Sequence, residues 1–165
     1  MASGQASLAD GTWHAILWQG AHKRDLGTLG GPNSTVYFGG PNAAGQVAGF
    51  AETDIPDPNG EDFCGFAAQA VPSSGTCLGF LWQYDWMIPL LTLGGYNSAA
   101  NSINDRGEVA GNAETATKDS TCPPYDPAQG QFQVLQEKPV IWKDGDIKET
   151  PHFRWRPGRN CHGDQ

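Results

Sequence analysis

The stretch that decides the fold reads Asp25-Leu-Gly-Thr-Leu-Gly-Gly31, followed by Asn42-Ala-Ala-Gly-Gln-Val-Ala-Gly49. Both segments return in the same order as Leu90-Leu-Thr-Leu-Gly-Gly95 and Ile103-Asn-Asp-Arg-Gly-Glu-Val-Ala-Gly111. Gly94 follows Gly30 by 64 residues, and Gly111 follows Gly49 by 62. Motifs that keep their order at nearly one spacing indicate an internal repeat.

A tryptophan motif precedes each pair of segments. It reads Trp13-His-Ala-Ile-Leu-Trp18, then Leu78-Gly-Phe-Leu-Trp82, and a third unit begins at Lys138-Pro-Val-Ile-Trp142. Trp82 follows Trp18 by 64 residues, and Trp142 follows Trp82 by 60. We expect these three tryptophans to pack between neighbouring modules rather than to stack on a ligand.

Each unit is predicted to form four short antiparallel strands, of which the tryptophan motif is the first. Residues 25–29 alternate between polar and apolar side chains, as a half-buried strand does. The glycine pairs Gly30-Gly31 and Gly94-Gly95 should end that strand, because glycine tolerates the positive φ of a sharp turn. The remaining strands are expected at 34–38 and 46–50 in the first unit and at 98–103 and 108–112 in the second.

Two hairpin turns are predicted within these units, at Asn42 to Gly45 and at Asn104 to Gly107. In each, the asparagine side chain opens the turn and the glycine takes the left-handed position. Four short antiparallel strands per unit describe a β-propeller blade. The predicted fold is therefore all-β, an incomplete propeller-like array of four-stranded antiparallel blades.

The repeats divide the chain into blades and inserts. The inserts are rich in Pro, Asp, Ser, Thr and Gly, and we expect them to be long rim loops, where recognition usually occurs. The predicted segments are a first blade (1–53), a Cys-containing inter-blade insert (54–77), a second blade (78–115), a second insert (116–137), the start of a third repeat (138–149) and an off-pattern tail (150–165).

The quoted segments resemble the HAF repeat, which is named for its His-Ala-Phe. His14-Ala-Ile-Leu-Trp18 carries Ile16 in place of the phenylalanine, and the second unit has Leu78-Gly-Phe instead. The similarity covers residues 13–149. It implies an extracellular repeat protein that usually has more units than this chain, with no enzyme activity, cofactor or known substrate.

Composition excludes several classes of protein. The 22 glycines and 12 prolines suit many strands joined by turns, and six tryptophans argue against a disordered chain. A net charge of −8 disfavours nucleic acid as a partner. No run of about 18 apolar residues is present, so we expect no membrane span. Residues 1–10 lack the pattern of a signal peptide.

Cys64 and Cys77 lie in the same insert and are candidates for a disulfide in an oxidising compartment. Closing that loop would contribute on the order of 3 kcal/mol through the entropy of the unfolded chain. Cys122 then lacks an obvious partner. The absence of any Cys-x-x-Cys argues against a zinc knuckle.

The acidic stretch 54–62 loosely resembles a calcium-binding loop through Asp57, Asn59 and Asp62. Ile55, however, stands at the first ligand position, and no bidentate glutamate follows at the required distance. We therefore favour a solvated acidic turn, with these residues as weak calcium candidates.

The repeat pattern stops after Glu149, where a basic tail begins. We propose that residues 150–165 are a frameshifted end, because a reading frame shifted by one nucleotide permits Thr-Phe-Ala-Gly and Ala-Ile-Asn at the expected places. On that interpretation Cys161 and His162 have no evolved role. The alternative is an ordinary divergent tail.

No catalytic site is apparent in the sequence. His14, His22, His152 and His162 lie near no nucleophile motif. Acidic pairs such as Asp10 with Asp25 and Asp105 with Glu108 could serve as glycosidase carboxylates, but the second pair flanks a turn where solvated acids are expected.

The favoured function is a non-catalytic extracellular binding or surface module for an unidentified protein or glycan, without cofactor or metal. The alternatives are a propeller-type polysaccharide hydrolase or lyase, and a degraded gene remnant. Two and a half blades cannot close into a ring. We therefore expect a fragment whose open strand edges permit self-association.

Overall fold

A computed structural model describes residues 1–73, 75–120 and 133–150 of the chain. Over these residues the fold is all-β, as predicted from the sequence. One short 3₁₀ helix, Ala67–Gln69, interrupts the strands, and none of the helical residues described could cross a membrane. The strands are β1 (Ala2–Ser7), β2 (Trp13–Gln19), β3 (His22–Asp25), β4 (Gly30–Thr35), β5 (Val47–Thr53), β6 (Cys77–Gln83), β7 (Trp86–Pro89), β8 (Gly94–Ile103), β9 (Val109–Lys118), β10 (Leu135–Lys143) and β11 (Asp146–Glu149).

These strands form three antiparallel sheets, each an up-and-down meander. The first sheet has the order β1-β2-β3, the second β4-β5-β6-β7 and the third β8-β9-β10-β11. Every pairing joins strands that are neighbours along the chain. No sheet closes on itself within the described ranges.

The sheets are offset by half a unit from the sequence repeats. The second sheet takes β4 and β5 from the first unit and β6 and β7 from the second, so the predicted blades 1–53 and 78–115 are each divided between two sheets. The segment 54–77 is accordingly a connection within the second sheet and not an inter-blade insert. The cause is that β5 pairs with β6 across this segment, with Val47 opposite Trp82 and Glu52 opposite Cys77.

The glycine pairs begin strands, whereas the sequence predicted that they end them. Gly30 and Gly94, with φ of 108° and 100°, are the first residues of β4 and β8. Gly31 packs so closely that an added Cβ would lie 2.5 Å from the carbonyl oxygen of Thr53. The strand expected at 25–29 does not form, because these residues lead from the first sheet to the second and Leu29 makes only an isolated bridge to Thr53.

The sheets pack face to face through two apolar cores. Trp82 (7% exposed) lies in the first and Trp142 (2% exposed) in the second, so each faces the sheet that precedes its own. Trp18 is half-buried and covers Gly4 on a face over which no described sheet lies. The core between the first and second sheets contains Ala15, Leu17, Leu26, Val36, Val47, Ala51, Phe80 and Trp82. The core between the second and third contains Ala48, Ala100, Val109, Ala113, Val140 and Trp142.

Candidate functional site

Buried polar side chains fasten the second sheet to the first. In the second half of β4, Asn33 Oδ1 accepts a hydrogen bond from the Trp13 amide at 2.9 Å, and Ser34 Oγ accepts one from the Ala15 amide at 2.9 Å. These amides lie on β2 beyond the point where β3 stops pairing with it. Asn33 and Ser34 are both 0% exposed. Their side chains accept hydrogen bonds from two β2 amides that β3 does not reach and that would otherwise be unsatisfied.

The third sheet is fastened to the second in the same way. Asn97 Oδ1 accepts from the Cys77 amide at 2.8 Å, and Ser98 Oγ accepts from the Gly79 amide at 3.0 Å. The sequence signal for this arrangement is Gly-Gly-x-Asn-Ser, which occurs at both 30–34 and 94–98. We call these two sets of contacts the Asn-Ser clasps.

A buried glutamate completes each clasp. Asn33 Nδ2 donates to Glu52 Oε2 at 2.5 Å and to the carbonyl oxygen of Pro72 at 2.5 Å, and the Ser73 hydroxyl also bonds to Glu52. Glu52 is 0% exposed and occupies the place in β5 that Glu114 occupies in β9. The repeated Ala-Glu-Thr at 51–53 and 113–115 marks both positions in the sequence.

Glu114 and Glu61 form a carboxyl pair between the third sheet and the segment 54–77. Glu114 Oε2 accepts from the amides of Tyr96 (3.1 Å) and Asn97 (2.9 Å) and from Asn97 Nδ2 (3.1 Å). Glu114 Oε1 is buried without a donor. Burial and the neighbouring charge of Glu61 raise the pKa of Glu114, and burial raises the pKa of Glu61 as well. A proton held by Glu114 turns this acceptor into a donor toward Glu61 and resolves the unmatched oxygen.

Glu61 in turn anchors the segment to β10. Its Oε1 accepts from the backbone amides of Val134 and Leu135, and its Oε2 accepts from Asn59 Nδ2 at 3.1 Å. Glu61 is 6% exposed. The acidic stretch is therefore partly buried against the third sheet, and the expectation of a fully solvated turn is wrong at this residue.

The calcium candidates do not converge on one point. Asp57 Oδ1 accepts from the amides of Asn59 (2.7 Å) and Glu61 (3.1 Å), and Asp57 Oδ2 accepts from Asn97 Nδ2 at 2.8 Å. The Asp62 carboxylate accepts from the amides of Ala67 and Ala68 at the 3₁₀ helix. Over the described ranges no group of three or more His, Cys, Asp or Glu side chains is arranged to hold a metal ion.

A disulfide and an apolar cluster hold the segment 54–77 in place. Cys64 and Cys77 are joined with their Cα atoms 5.5 Å apart, the pairing that the sequence favours. Phe66, which is 0% exposed, meets Trp13 of the first sheet edge to face at 6.3 Å. The segment thus touches all three sheets and is largely a structural wedge rather than a free rim loop. Its cluster contains Phe50, Cys64, Phe66, Val71, Cys77 and Ala99. Cys122, Cys161 and the proposed frameshift lie outside the described residues.

The two asparagine turns join the second and third sheets at another place. Gly45 and Gly107 have φ of 79° and 73° and donate to the carbonyl oxygens of Asn42 (2.9 Å) and Asn104 (3.0 Å). Asn42 Nδ2 donates to the carbonyl oxygen of Asn104 at 3.0 Å, which bridges the turns. Asp105 Oδ1 accepts from the Ala43 amide at 2.8 Å and so has a structural partner.

The acidic pairs that could serve as glycosidase carboxylates form hydrogen bonds and ion pairs with neighbouring residues. Glu108 accepts from Asn104 Nδ2, Arg106 and Lys143, and the same contacts lower its pKa to about 2. Asp25 pairs with His14 Nδ1 at 2.8 Å, whereas Asp10 accepts from Thr12 at 2.6 Å and 3.0 Å. Each of these carboxylates is thus engaged by its own hydrogen-bond partners.

An exposed aromatic patch lies where the segment 54–77 meets the second sheet; we define it as Tyr37, Phe38 and Gln69. Tyr37 is 45% and Phe38 80% exposed. Their ring centroids are 5.7 Å apart, and Tyr37 stacks on buried Phe50 at 5.8 Å. The Gln69 amide donates to the Tyr37 hydroxyl at 3.1 Å. The sequence signal we missed is that the second unit has Asn101 and Ser102 at the corresponding positions.

Comparison with known proteins adds no relative: no family model, curated protein or solved structure matches this chain. The resemblance to the HAF repeat therefore stays a prediction.

Proposed function

We propose that this chain is a non-catalytic, extracellular binding module built from HAF-type repeats, and that it binds a neutral glycan at the aromatic patch. The observation that carries the proposal is the pair of exposed rings on a braced base. Tyr37 is fixed by Phe50 below it and by Gln69 beside it, which leaves Phe38 projecting into solvent. Exposed apolar surface next to polar groups is typical of binding sites.

The ligand class follows from shape and charge. Two adjacent ring faces offer stacking area to the C–H faces of a sugar, and the amide of Gln69 offers a donor and an acceptor for hydroxyl groups. The net charge of −8 disfavours anionic ligands. A neutral saccharide fits these conditions, and a protein ligand is the alternative.

The propeller-like arrangement is part of the proposal. Its support is that each described sheet is a meander, that the sheets pack face to face, and that the Asn-Ser clasps repeat from one interface to the next. Blades of a propeller have these properties. The Cys64–Cys77 disulfide supports an oxidising, extracellular setting.

A hydrolase is the weaker candidate. Glu61 and Glu114 are the close carboxyl pair that such an enzyme would use. Their exposures of 6% and 0% leave no room for a polysaccharide between them. A gene remnant without function would bind no ligand at all.

A glycan array probed with the full chain tests the proposal. We expect neutral glycans to bind, and Phe38→Ala and Tyr37→Ala to weaken the binding at least tenfold. The matched control is Trp86→Ala, because Trp86 is 73% exposed on the β6–β7 hairpin and lies outside the patch. Binding of a protein but no glycan, glycan binding that survives both patch variants, or release of reducing sugar would each overturn the proposal.

A further inference from the structure

The first sheet has three described strands, whereas the others have four. The strand register shows which strand of the four-stranded sheets has no counterpart in the first sheet. Ala2 lies opposite Trp18 on β1 and β2, as Val47 lies opposite Trp82 and Val109 opposite Trp142. β1 is therefore the equivalent of β5 and β9, and no described strand takes the place of β4 or β8 beside it.

The sequence of β1 follows part of the repeat. Counted from the residue opposite the tryptophan, Gly4 corresponds to Gly49 and Gly111, and Ala6 corresponds to Ala51 and Ala113. Ala2-Ser-Gly-Gln-Ala6 thus keeps the Gly-x-Ala of the Val-Ala-Gly-x-Ala pattern, with Ala2 and Ser3 in place of the valine and the first alanine. Ser7 stands where the other strands carry Glu52 and Glu114.

One edge of β1 carries free backbone groups. The amides of Trp13 and Ala15 point away from β1, toward Asn33 and Ser34. Antiparallel alternation therefore turns the backbone groups of Ser3, Gln5 and Ser7 away from β2. Across the described residues these three amides have no hydrogen-bond partner.

The lack of a side chain at Gly4 leaves room for a neighbouring strand at this edge. A Cβ added at Gly49 would overlap the carbonyl oxygen of Thr35 on β4, and one added at Gly111 would overlap that of Ala99 on β8. The inner strand thus requires a glycine in both complete sheets. At Gly4 the nearest atom to an added Cβ is Trp18 Cζ3 at 3.3 Å, and no carbonyl lies near it.

The edge is also held in position. Ser3 Oγ donates to the carbonyl oxygen of Gly39 at 3.0 Å, and the Gln5 amide oxygen bonds to the Thr35 hydroxyl. Both contacts fix β1 on the second sheet. A strand that binds there gains backbone hydrogen bonds without ordering the edge first.

We propose that the free edge of β1 binds a strand of the β4 and β8 type, supplied by a partner polypeptide, other than a second copy of this chain, that presents an unpaired Gly-Gly-x-Asn-Ser segment. Its backbone pairs with Ser3, Gln5 and Ser7, and one of its carbonyl oxygens lies over Gly4. Its asparagine meets the hydroxyl of Ser7 in place of a glutamate. This inference is independent of the glycan proposed above.

A synthetic peptide with the sequence of residues 92–104 serves as the probe. Titrated into the ¹⁵N-labelled full chain, it should shift the amide signals of Ser3, Gln5 and Ser7 and slow their hydrogen exchange at least tenfold. The same peptide with proline in place of Ala99 should bind at least tenfold more weakly, because proline lacks the N–H that pairs with the edge.

Two variants of the chain separate binding from folding. Gly4→Ala should weaken the peptide at least tenfold while the unbound chain stays folded, because a small shift of the half-buried Trp18 ring admits the methyl group. Ser7→Pro removes an N–H that points outward, which an edge strand tolerates, leaves the contacts of Ser3 and Gln5 with the second sheet in place, and should weaken the peptide equally. Unchanged binding to both variants, or shifts confined to β11, would overturn the proposal. Self-association of the chain alone that Gly4→Ala abolishes would put a second copy at the edge and refute the proposed occupant.

Discussion

The indole N–H of Trp142 donates to the carbonyl oxygen of Leu91 at 2.8 Å. Leu91 lies between β7 and β8, in the segment that leads from the second sheet to the third. Trp142 therefore holds the segment that precedes β8 against the third sheet, while its ring packs in the core between the second and third sheets.

Replacing Trp142 with phenylalanine removes this donor and leaves a small cavity. We expect Trp142→Phe to lower the free energy of unfolding by about 1–3 kcal/mol, measured by urea denaturation. Trp86→Phe is the matched control, since Trp86 is 73% exposed and should change stability little. Equal effects of the two substitutions would contradict the role assigned to Trp142.

The Asn-Ser clasps predict that alanine substitutions of two serines in β8 lower the free energy of unfolding by different amounts. Ser98→Ala leaves the buried amide of Gly79 without an acceptor and should cost about 1–3 kcal/mol of unfolding free energy. Ser102 lies on the same strand and is exposed, so Ser102→Ala should be nearly neutral. Thermal unfolding of the two variants side by side decides whether the clasp stabilises the interface between the sheets.

Features that depend on local sequence patterns were predicted better than features that depend on pairing between distant residues. The all-β class was predicted correctly, because glycine-rich turns and tryptophan motifs are visible within a few residues. The assignment of strands to sheets was not predicted correctly, because β5 pairs with β6 across the segment 54–77. That pairing depends on the apolar cluster that this segment buries. The Glu61–Glu114 pair was invisible for the same reason: the two residues are distant in sequence, and single acidic residues give no sign of burial.

The disulfide should contribute to stability through the segment that it closes. Replacing both Cys64 and Cys77 with serine is expected to lower the free energy of unfolding by about 2–4 kcal/mol, because the unfolded chain gains freedom. A reductant should lower the thermal midpoint of the unsubstituted chain and leave that of the double variant where it is. A reductant effect of the same size on both proteins would show that this bond is not the source.

The Glu61–Glu114 pair predicts that stability falls as pH rises. Burial, and then the charge of Glu61, raise the pKa of Glu114 from 4.5 to about 8 in the folded state. The folded chain therefore keeps a proton that the unfolded chain releases above pH 4.5. The free energy of unfolding therefore falls as pH rises between these two values, and the loss is complete above the folded pKa.

Glu114→Gln tests this directly, because an amide keeps the shape and a donor but has no proton to release. Urea denaturation at pH 5 and pH 8 should show a marked loss of stability in the unsubstituted chain and a much smaller loss in the variant. Glu108→Gln is the control: the pKa of Glu108 is lowered to about 2, so its contribution is lost only as pH falls from 4.5 through that value. The Glu108 variant should therefore keep the full decline between pH 5 and pH 8. A Glu114 variant that declines as steeply as the unsubstituted chain would show that another group binds the proton.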